Sequence, residues 1–304
     1  MSFVSGIWIA SLATTVISHS PSAAAQGRAF RRSNLVLTAT LPNNDIPSVA
    51  SSPSAATAWV DHHIAPFVIS RSGTIRFRYI AFGNEPIPGP YASLVAPAMR
   101  NLHQALISLK VPDDVKVTTS ASPKFLGKSF PPSVGQFEDS VSDFMSDVTN
   151  FLHSIGAPLQ VNVYPYFALV NDPRPIDMEH ALFQANTPMV IDGTLKYFNL
   201  FDAMVDAFVA ATAKVVGQPG VRMVVSETGW PVKGNEPYTC VDNARNYNRN
   251  LKDHVEKIGG TPRMRDYLEV DIYSMFNEDL EPDLVGRSFG TFNKDITEIY
   301  PIWH

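Results

Sequence analysis

Cysteine is nearly absent from this chain of 304 residues, in which Cys240 is the single thiol. One cysteine excludes an intramolecular disulfide framework and any zinc site built from several cysteines. Lys and Arg number 24 against 29 Asp and Glu, and no basic run could follow a phosphate backbone, so we expect no nucleic-acid partner. No apolar run approaches the roughly 18 residues that a membrane-spanning helix needs, so we expect no integral membrane segment.

The first 34 residues differ in composition from the rest, because no acidic residue precedes Asp45 and small residues crowd this segment. The apolar run from Ile7 to Ile17, followed by Ala23-Ala24-Ala25, suggests a removed secretory signal, which would place the protein outside the cell or in the cell wall. An organellar transit peptide or an unordered N-terminus fits the same composition. We therefore divide the chain into a signal-like or unordered segment, 1–34, and one folded domain, 35–304.

From residue 35 onward, short β-rich apolar runs alternate with longer segments that have the spacing of helices. The helical segments carry apolar stripes such as Val95, Met99, Leu102 and Leu106. Six runs have the near-continuous apolar character of strands buried on both faces, and they are Leu35 to Leu41, Ile75 to Phe82, Val115 to Ser120, Leu159 to Val163, Arg222 to Ser226 and Glu269 to Phe276. This alternation predicts an α/β fold with a parallel sheet, either an open doubly wound sheet or a barrel.

Polar, acidic and aromatic residues follow the predicted strands at their carboxyl ends. In a (β/α) barrel these ends converge on the face that holds the active site. The residues are Asn84 and Glu85 after the second run, Tyr164 and Tyr166 after the fourth, Glu227 and Trp230 after the fifth, and Phe276 and Glu278 at the end of the sixth. Glycine-rich dinucleotide and P-loop motifs are missing, and the eight histidines lack metal-ligand spacing, so we expect neither a cofactor nor a metal.

Two of these residues, Glu85 and Glu227, are candidates for a pair of catalytic carboxylates. Burial or like charge can raise the pKa of one carboxyl while hydrogen bonds keep the other ionised, which is the arrangement that glycoside hydrolysis uses. Carboxyls about 5 to 5.5 Å apart give retention of configuration and carboxyls about 6.5 to 9.5 Å apart give inversion, and the sequence leaves both open. The competing interpretation is that each glutamate caps a helix or pairs with an arginine.

The neighbouring residues have the chemistry of a sugar-binding cleft. The Asn84 amide could hold a sugar hydroxyl, and the rings of Tyr164, Tyr166, Trp230 and Phe276 could pack on the C–H faces of pyranose rings. Among these rings Trp230 is the strongest candidate, whereas core packing explains Phe276 at least as well. We therefore predict a carbohydrate substrate.

At these residues the sequence resembles the plant glucan endo-1,3-beta-glucosidases of glycoside hydrolase family 17. Several family motifs recur in order, and they are Leu41-Pro42-Asn43, Arg78-Tyr79-Ile80-Ala81, Gly83-Asn84-Glu85, Val161 to Phe167, Asn199-Leu200-Phe201-Asp202-Ala203, Ser226 to Pro231, Asn243-Ala244 with Tyr247-Asn248, and Phe276-Asn277-Glu278. The resemblance implies a TIM (β/α)8-type barrel and endo cleavage of β-1,3-glucan with retention, in cell-wall or callose turnover. It also implies Glu85 as acid/base, Glu227 as nucleophile and Glu278 in the cleft beside the nucleophile.

The sequence departs from this family in three places. Six βα units are recognisable instead of eight, because the motifs begin at the family's third strand. Glu281 stands where the family has a lysine, and Gly286 stands where it has a glutamate. We therefore expect an incomplete barrel, monomeric, with hydrolysis as the main hypothesis. The alternatives are a catalytically impaired β-glucan-binding remnant and a truncated product without a stable fold.

One further motif points to a different reaction. Gly286-Arg287-Ser288-Phe289-Gly290 matches the nucleophile elbow of serine hydrolases. An elbow needs a histidine after an acid further along the chain, and only the terminal His304 follows. We therefore reject an esterase.

Overall fold

The computed structural model describes residues 7–8, 36–68, 76–174, 176–279 and 281–302. The predicted signal-like segment lies almost wholly outside these residues and stays a prediction. The chain divides into two compact units, which are described separately below. The first unit is Leu12–Phe125 with Phe137–Gln160, and the second unit is Met1–Ser11, Leu126–Gln136 and Val161–His304.

The first unit contains a parallel sheet of strands β2 (Val36–Leu41), β3 (Arg76–Phe82) and β4 (Lys116–Ala121). The start of strand β7 (Leu159–Asn162) lies next to β4. Leu41 is paired with Phe82, and Phe82 with Thr119, so the three strands end side by side. The residues that follow β2 and β3 therefore start from the same edge of the sheet.

The second unit contains the remaining strands of the parallel sheet. Strand β10 (Met223–Thr228) lies between the end of β7 and strand β11 (Glu269–Ile272). Strand β1 (Ile7–Trp8) pairs in parallel with β11 on its other side, with Ile7 opposite Val270. This short strand falls in the segment for which the sequence predicted no sheet.

Helices follow the strands as the apolar stripes predict. In the first unit they are Ile46–Ser51, Pro53–His63, Ala65–Val68, Ala92–Ser108 and Ser142–Ser154, and in the second unit Pro165–Asn171, Met178–Ala181, Leu200–Val216 and Val241–Lys257. The short strands β5 (Leu126–Lys128), β6 (Gln136–Phe137), β8 (Val190–Asp192) and β9 (Leu195–Tyr197) lie between them. The stripe of helix Ala92–Ser108 is buried, with Val95, Met99 and Leu102 fully inaccessible.

All six predicted strands are present, as β2, β3, β4, β7, β10 and β11. The sixth is shorter than expected, because β11 ends at Ile272 rather than at Phe276. Tyr273 N–H still donates to the Thr228 carbonyl of β10 at 2.7 Å. From Ser274 onward the chain bonds to the segment 289–292 instead, through Ser274 N to Phe289 O at 3.2 Å and Phe292 N to Met275 O at 2.8 Å. The expectation of parallel strands with helical crossovers is confirmed.

Candidate active site

Glu85 is held in the first unit by a turn that follows strand β3. Its backbone N–H donates to Ser120 Oγ at 3.0 Å, and the Ser120 hydroxyl donates to Asn84 Oδ1 at 3.2 Å. Ser120 is buried near the end of β4, so one hydroxyl ties the Asn84-Glu85 pair to the neighbouring strand. Glu85 does not cap a helix, because the next helix begins at Ala92.

The Gly83-Asn84-Glu85 turn is fixed further by Asn43, the last residue of the Leu41-Pro42-Asn43 motif. Asn43 Oδ1 accepts from the Asn84 N–H at 3.1 Å, and Asn43 Nδ2 donates to the Asn84 carbonyl at 3.2 Å. Gly83 has a φ of 63°, and a Cβ there would lie 2.0 Å from Asn43 Oδ1. Glycine is therefore required both by the backbone conformation and by the close approach of Asn43.

Glu227 lies in the second unit, inside strand β10 rather than after it. The sheet continues to this residue because Val163 N–H donates to the Glu227 carbonyl at 2.9 Å. Tyr164, at the end of the neighbouring strand β7, donates its hydroxyl to Glu227 Oε2 at 3.0 Å. Next to this pair, the Ser226 hydroxyl donates to Asn162 Oδ1 at 2.8 Å, so β7 and β10 are also joined by side chains at this end.

A second tyrosine and carboxylate pair lies in the same unit. Tyr273, directly after β11, donates its hydroxyl to Glu278 Oε1 at 2.9 Å. The ring of Tyr273 is 6.3 Å from that of Tyr164, and both rings contact Phe289 at 5.6 Å. Glu227 and Glu278 are thus bonded to two tyrosines that belong to one aromatic cluster.

Burial raises the pKa of the Tyr273 hydroxyl well above its ordinary value, and its hydrogen bond to Glu278 and the negative charges of Glu278, Glu227 and Glu281 act in the same direction. Tyr273 therefore stays protonated and remains a donor. The charge of Glu281 thus adds to an acidic region, and the guanidinium of Arg287 is bonded to the Glu281 and Pro282 carbonyls.

The structure places Trp230 in the core rather than in a cleft. Its side chain is fully inaccessible, its Nε1 donates to the Tyr238 carbonyl at 2.9 Å, and its ring packs on Tyr166 and Tyr247 at 5.3 and 5.5 Å. Tyr166 is also buried, and its hydroxyl accepts from Asn235 Nδ2 at 3.1 Å. Neither ring presents a face on which a sugar could stack. Both belong to the core, and Tyr166 packs against Phe167 and Phe289.

The half-buried Phe276 packs against Phe292 at 6.2 Å and lies outside the cluster around Tyr164. Phe167 is 41 % exposed and packs against Tyr164 and Phe289. Among the rings that the sequence singled out, Tyr164 and Phe276 therefore keep accessible surface, and the neighbouring Phe167 does so too.

The sequence indicated none of four residues that build the surroundings of Glu85, Glu227 and Glu278, namely Ser120, Asn162, Tyr273 and Phe289. Ser120 and Tyr273 lie at or just past the carboxyl ends of strands, which is the signal that identified Glu85. Asn162 and Ser226 occupy neighbouring strands, but their pairing depends on the strand order and cannot be read from their spacing. Phe289 follows no predicted strand and carried no signal.

The Gly286-Arg287-Ser288 segment is a 3₁₀ turn, and Ser288 is inaccessible, with its hydroxyl donating to the Leu284 carbonyl at 2.5 Å. It is therefore not an exposed nucleophile. Within the described ranges, no group of three or more His, Cys, Asp or Glu side chains could hold a metal ion. Over the same residues, no helix is both long and apolar enough to cross a membrane.

Comparison with known proteins identifies the family. The model of glycosyl hydrolases family 17 matches residues 15–303, so the similarity begins 20 residues before Leu35. A glucan endo-1,3-beta-glucosidase from Vitis vinifera is 41% identical over 280 residues, which cover 90% of this chain and 79% of that protein. Lichenase-2 from Hordeum vulgare is 41% identical over 261 residues, with coverage of 86% and 80%.

The fold agrees with the sequence comparison. A solved plant β-glucan endohydrolase, one of two described as having distinct substrate specificities, superposes with a TM-score of 0.85 at 39% identity. The match covers 92% of this chain and 88% of that structure. The fold is thus that of the TIM-barrel plant glucanases, with six of the barrel's βα units recognised in the sequence. The chain belongs to glycosyl hydrolase family 17.

Proposed function

We propose that this protein hydrolyses β-1,3-glucan at internal linkages, with retention of configuration. The substrate class is supported by the 41% identity to the glucan endo-1,3-beta-glucosidase of Vitis vinifera. The observation that carries the chemistry is the hydrogen bond from Tyr164 to Glu227 Oε2, because it orients a carboxylate at the end of a barrel strand. The alternative, a catalytically impaired glucan-binding remnant, predicts binding of this glucan without release of reducing sugar.

Glu227 is the proposed nucleophile. Its carboxylate attacks the anomeric carbon while the bond from that carbon to the leaving oxygen breaks, which gives a covalent glycosyl-enzyme. The hydroxyl of Tyr164 donates to Oε2 of this carboxylate and so restricts its orientation for the attack.

Glu85 is the proposed acid and base. In the first step its carboxyl gives a proton to the leaving oxygen, and in the second step its carboxylate takes a proton from the water that attacks the anomeric carbon and releases Glu227. The bonds of Asn43 and Ser120 to the Asn84-Glu85 turn support this role, since a proton donor must be held in a fixed position.

The two roles can be separated with a β-laminaribioside that carries a dinitrophenyl leaving group. We expect a burst of dinitrophenolate from Glu85→Gln, because this leaving group needs no proton, and no burst from Glu227→Gln, because no glycosyl-enzyme forms. The first product from a natural oligosaccharide should be the β-anomer, as read by proton NMR. An α-anomer as first product would overturn the retaining mechanism.

The linkage preference needs its own comparison, since Lichenase-2 is as similar to this chain as the Vitis vinifera protein. We propose β-1,3-glucan as the better substrate, and rates on a linear β-1,3-glucan and on a mixed β-1,3-1,4-glucan test this directly. We also propose that the protein acts as a monomer on wall or callose glucan outside the cell. Light scattering and localisation of a tagged full-length chain would test these two points.

A further inference from the structure

A groove in the second unit shares no residue with the candidate active site. It has a volume of about 280 Å³, near the lower end of the range for small-molecule sites. Its walls come from the two residues before helix Leu200–Val216, the C-terminal part of helix Val241–Lys257 and the segment around Phe183. The residues that matter below are Phe183, Phe198, Asn250, Asp253, Lys257 and Ile258.

Part of the groove lining is apolar surface that remains accessible. The ring of Phe198 is 43% exposed and the side chain of Ile258 is 67% exposed. Phe183 also lines the groove and packs its ring against Phe201 and His254 at 5.7 and 5.4 Å. Rings and aliphatic side chains in this position can cover the C–H faces of a sugar.

The polar groups of the groove are held in place before any ligand binds. Asn250 donates through Nδ2 to the Leu182 carbonyl at 2.8 Å, and its Oδ1 has no protein partner among the described residues. His254 is fixed by Asp202, whose Oδ1 lies 2.9 Å from His254 Nε2. A ligand hydroxyl that donates to Asn250 Oδ1 therefore binds without the entropic cost of ordering that side chain.

The charges that line the groove compensate each other. Lys257 Nζ donates to Asp253 Oδ2 at 2.9 Å, and His254 is bonded to Asp202. No cationic cluster is present in this part of the described chain to attract a phosphate. The Lys257 ammonium and the Asp253 carboxylate still have unused donors and acceptors, which suit a neutral ligand rich in hydroxyls.

We propose that this groove binds a glucosyl residue of a β-glucan chain, as a binding site separate from the active site. The choice of glucan rests on the proposed function, whereas the neutral polyhydroxyl class follows from the lining itself. A second contact with the same polysaccharide raises the effective concentration of substrate at the enzyme. The benefit should therefore appear on insoluble glucan and not on short soluble oligosaccharides.

Sedimentation with an insoluble linear β-1,3-glucan tests the groove, in full-length proteins that carry Glu227→Gln so that the polymer is not consumed. Phe198→Ala should raise the Kd for the polymer roughly fivefold to tenfold. Phe144→Ala is the matched control, because Phe144 is 36% exposed on a different helix and does not line the groove. It should leave the Kd unchanged.

A second readout uses the active proteins. Phe198→Ala should keep the kcat/KM for laminaripentaose, which also shows that it folds, and should lose rate on the insoluble glucan. Equal Kd values for Phe198→Ala and Phe144→Ala would contradict the proposal that the groove binds glucan. Failure of the proposed function would appear differently, as no hydrolysis of laminaripentaose by the unmodified chain.

Discussion

At the scale of single residues, three glutamates are bonded to hydroxyl groups that hold them. Tyr164 donates to Glu227, Tyr273 donates to Glu278, and Ser120 accepts from the N–H of Glu85. The sequence pointed to the carboxylates because they lie at or just past the ends of buried strands. It assigned Trp230 and Tyr166 to sugar stacking because their ring size and position fit, but burial depends on the packing of distant segments such as Tyr238 and Tyr247.

Tyr164→Phe tests the positioning of the nucleophile. The substitution removes the bond to Glu227 Oε2 and keeps the ring, so we expect kcat to fall roughly 10- to 100-fold with little change in KM.

Tyr166→Phe is the control for that experiment. It removes the same hydroxyl group from a neighbouring tyrosine that bonds to Asn235 and not to Glu227. A similar loss of kcat in both variants would contradict the positioning role of Tyr164.

At the scale of elements, the alternation of apolar runs and helical stripes was sufficient to predict all six strands, because strands buried on both faces have a distinctive composition. The pairing of β1 with β11 could not be predicted, since two residues give no periodicity. Strand β11 ends four residues earlier than predicted, because Ser274 and Met275 bond to the segment 289–292 instead of to β10.

The Gly83-Asn84-Glu85 turn after β3 orients Glu85, and a substitution at Gly83 tests this. Gly83→Ala should lower kcat at least tenfold, because the new Cβ would displace Asn43 and with it the Asn84-Glu85 backbone. Gly193→Ala is the matched control, since Gly193 has a φ of 62° and no atom within 4 Å of its added Cβ. Both variants bear the cost of a left-handed alanine, so a similar loss of activity in both would refute the role of Asn43.

Helix Leu200–Val216 contains a buried carboxyl that links it to two other segments. Asp206 accepts hydrogen bonds from Tyr197 at 3.0 Å and from the Arg263 N–H at 2.9 Å, and it is also bonded to Thr261. Burial raises the pKa of Asp206 to about 6, although these bonds act in the opposite direction. Because the folded-state pKa lies above the unfolded value, the stabilisation by this group is complete below about pH 4 and is lost as the pH rises through 6.

Asp206→Asn removes this titration. The free energy of unfolding of the unmodified chain, relative to the variant, should decrease by about 2 to 3 kcal/mol between pH 4 and pH 7.5. Urea unfolding at several pH values measures this difference. Asp279→Asn is the control, because a hydrogen bond with Lys294 lowers the pKa of Asp279 and predicts a slope of the opposite sign. A difference between the unmodified chain and Asp206→Asn that does not change with pH would contradict the assignment.

At the scale of the whole molecule, family membership and the incomplete set of barrel units are the main features. The motifs identified the family from the sequence, because they carry the strand-end residues in a fixed order. Sequence could not show whether each glutamate is held in place, since their partners Ser120, Asn43 and Tyr164 come from other strands and loops. Those contacts are present in both units, so a chain with only six recognised βα units still builds the local surroundings of each carboxylate.

Hydrolysis of β-1,3-glucan by way of Glu227 can be tested directly by measuring the release of reducing sugar from a soluble β-1,3-glucan by the purified chain. Glu227→Gln serves as the control. We expect the unmodified chain to release reducing sugar, and the rate to fall by at least three orders of magnitude in Glu227→Gln. Equal release by both proteins would contradict the role of Glu227, and no release by folded, unmodified protein would contradict the proposed hydrolysis.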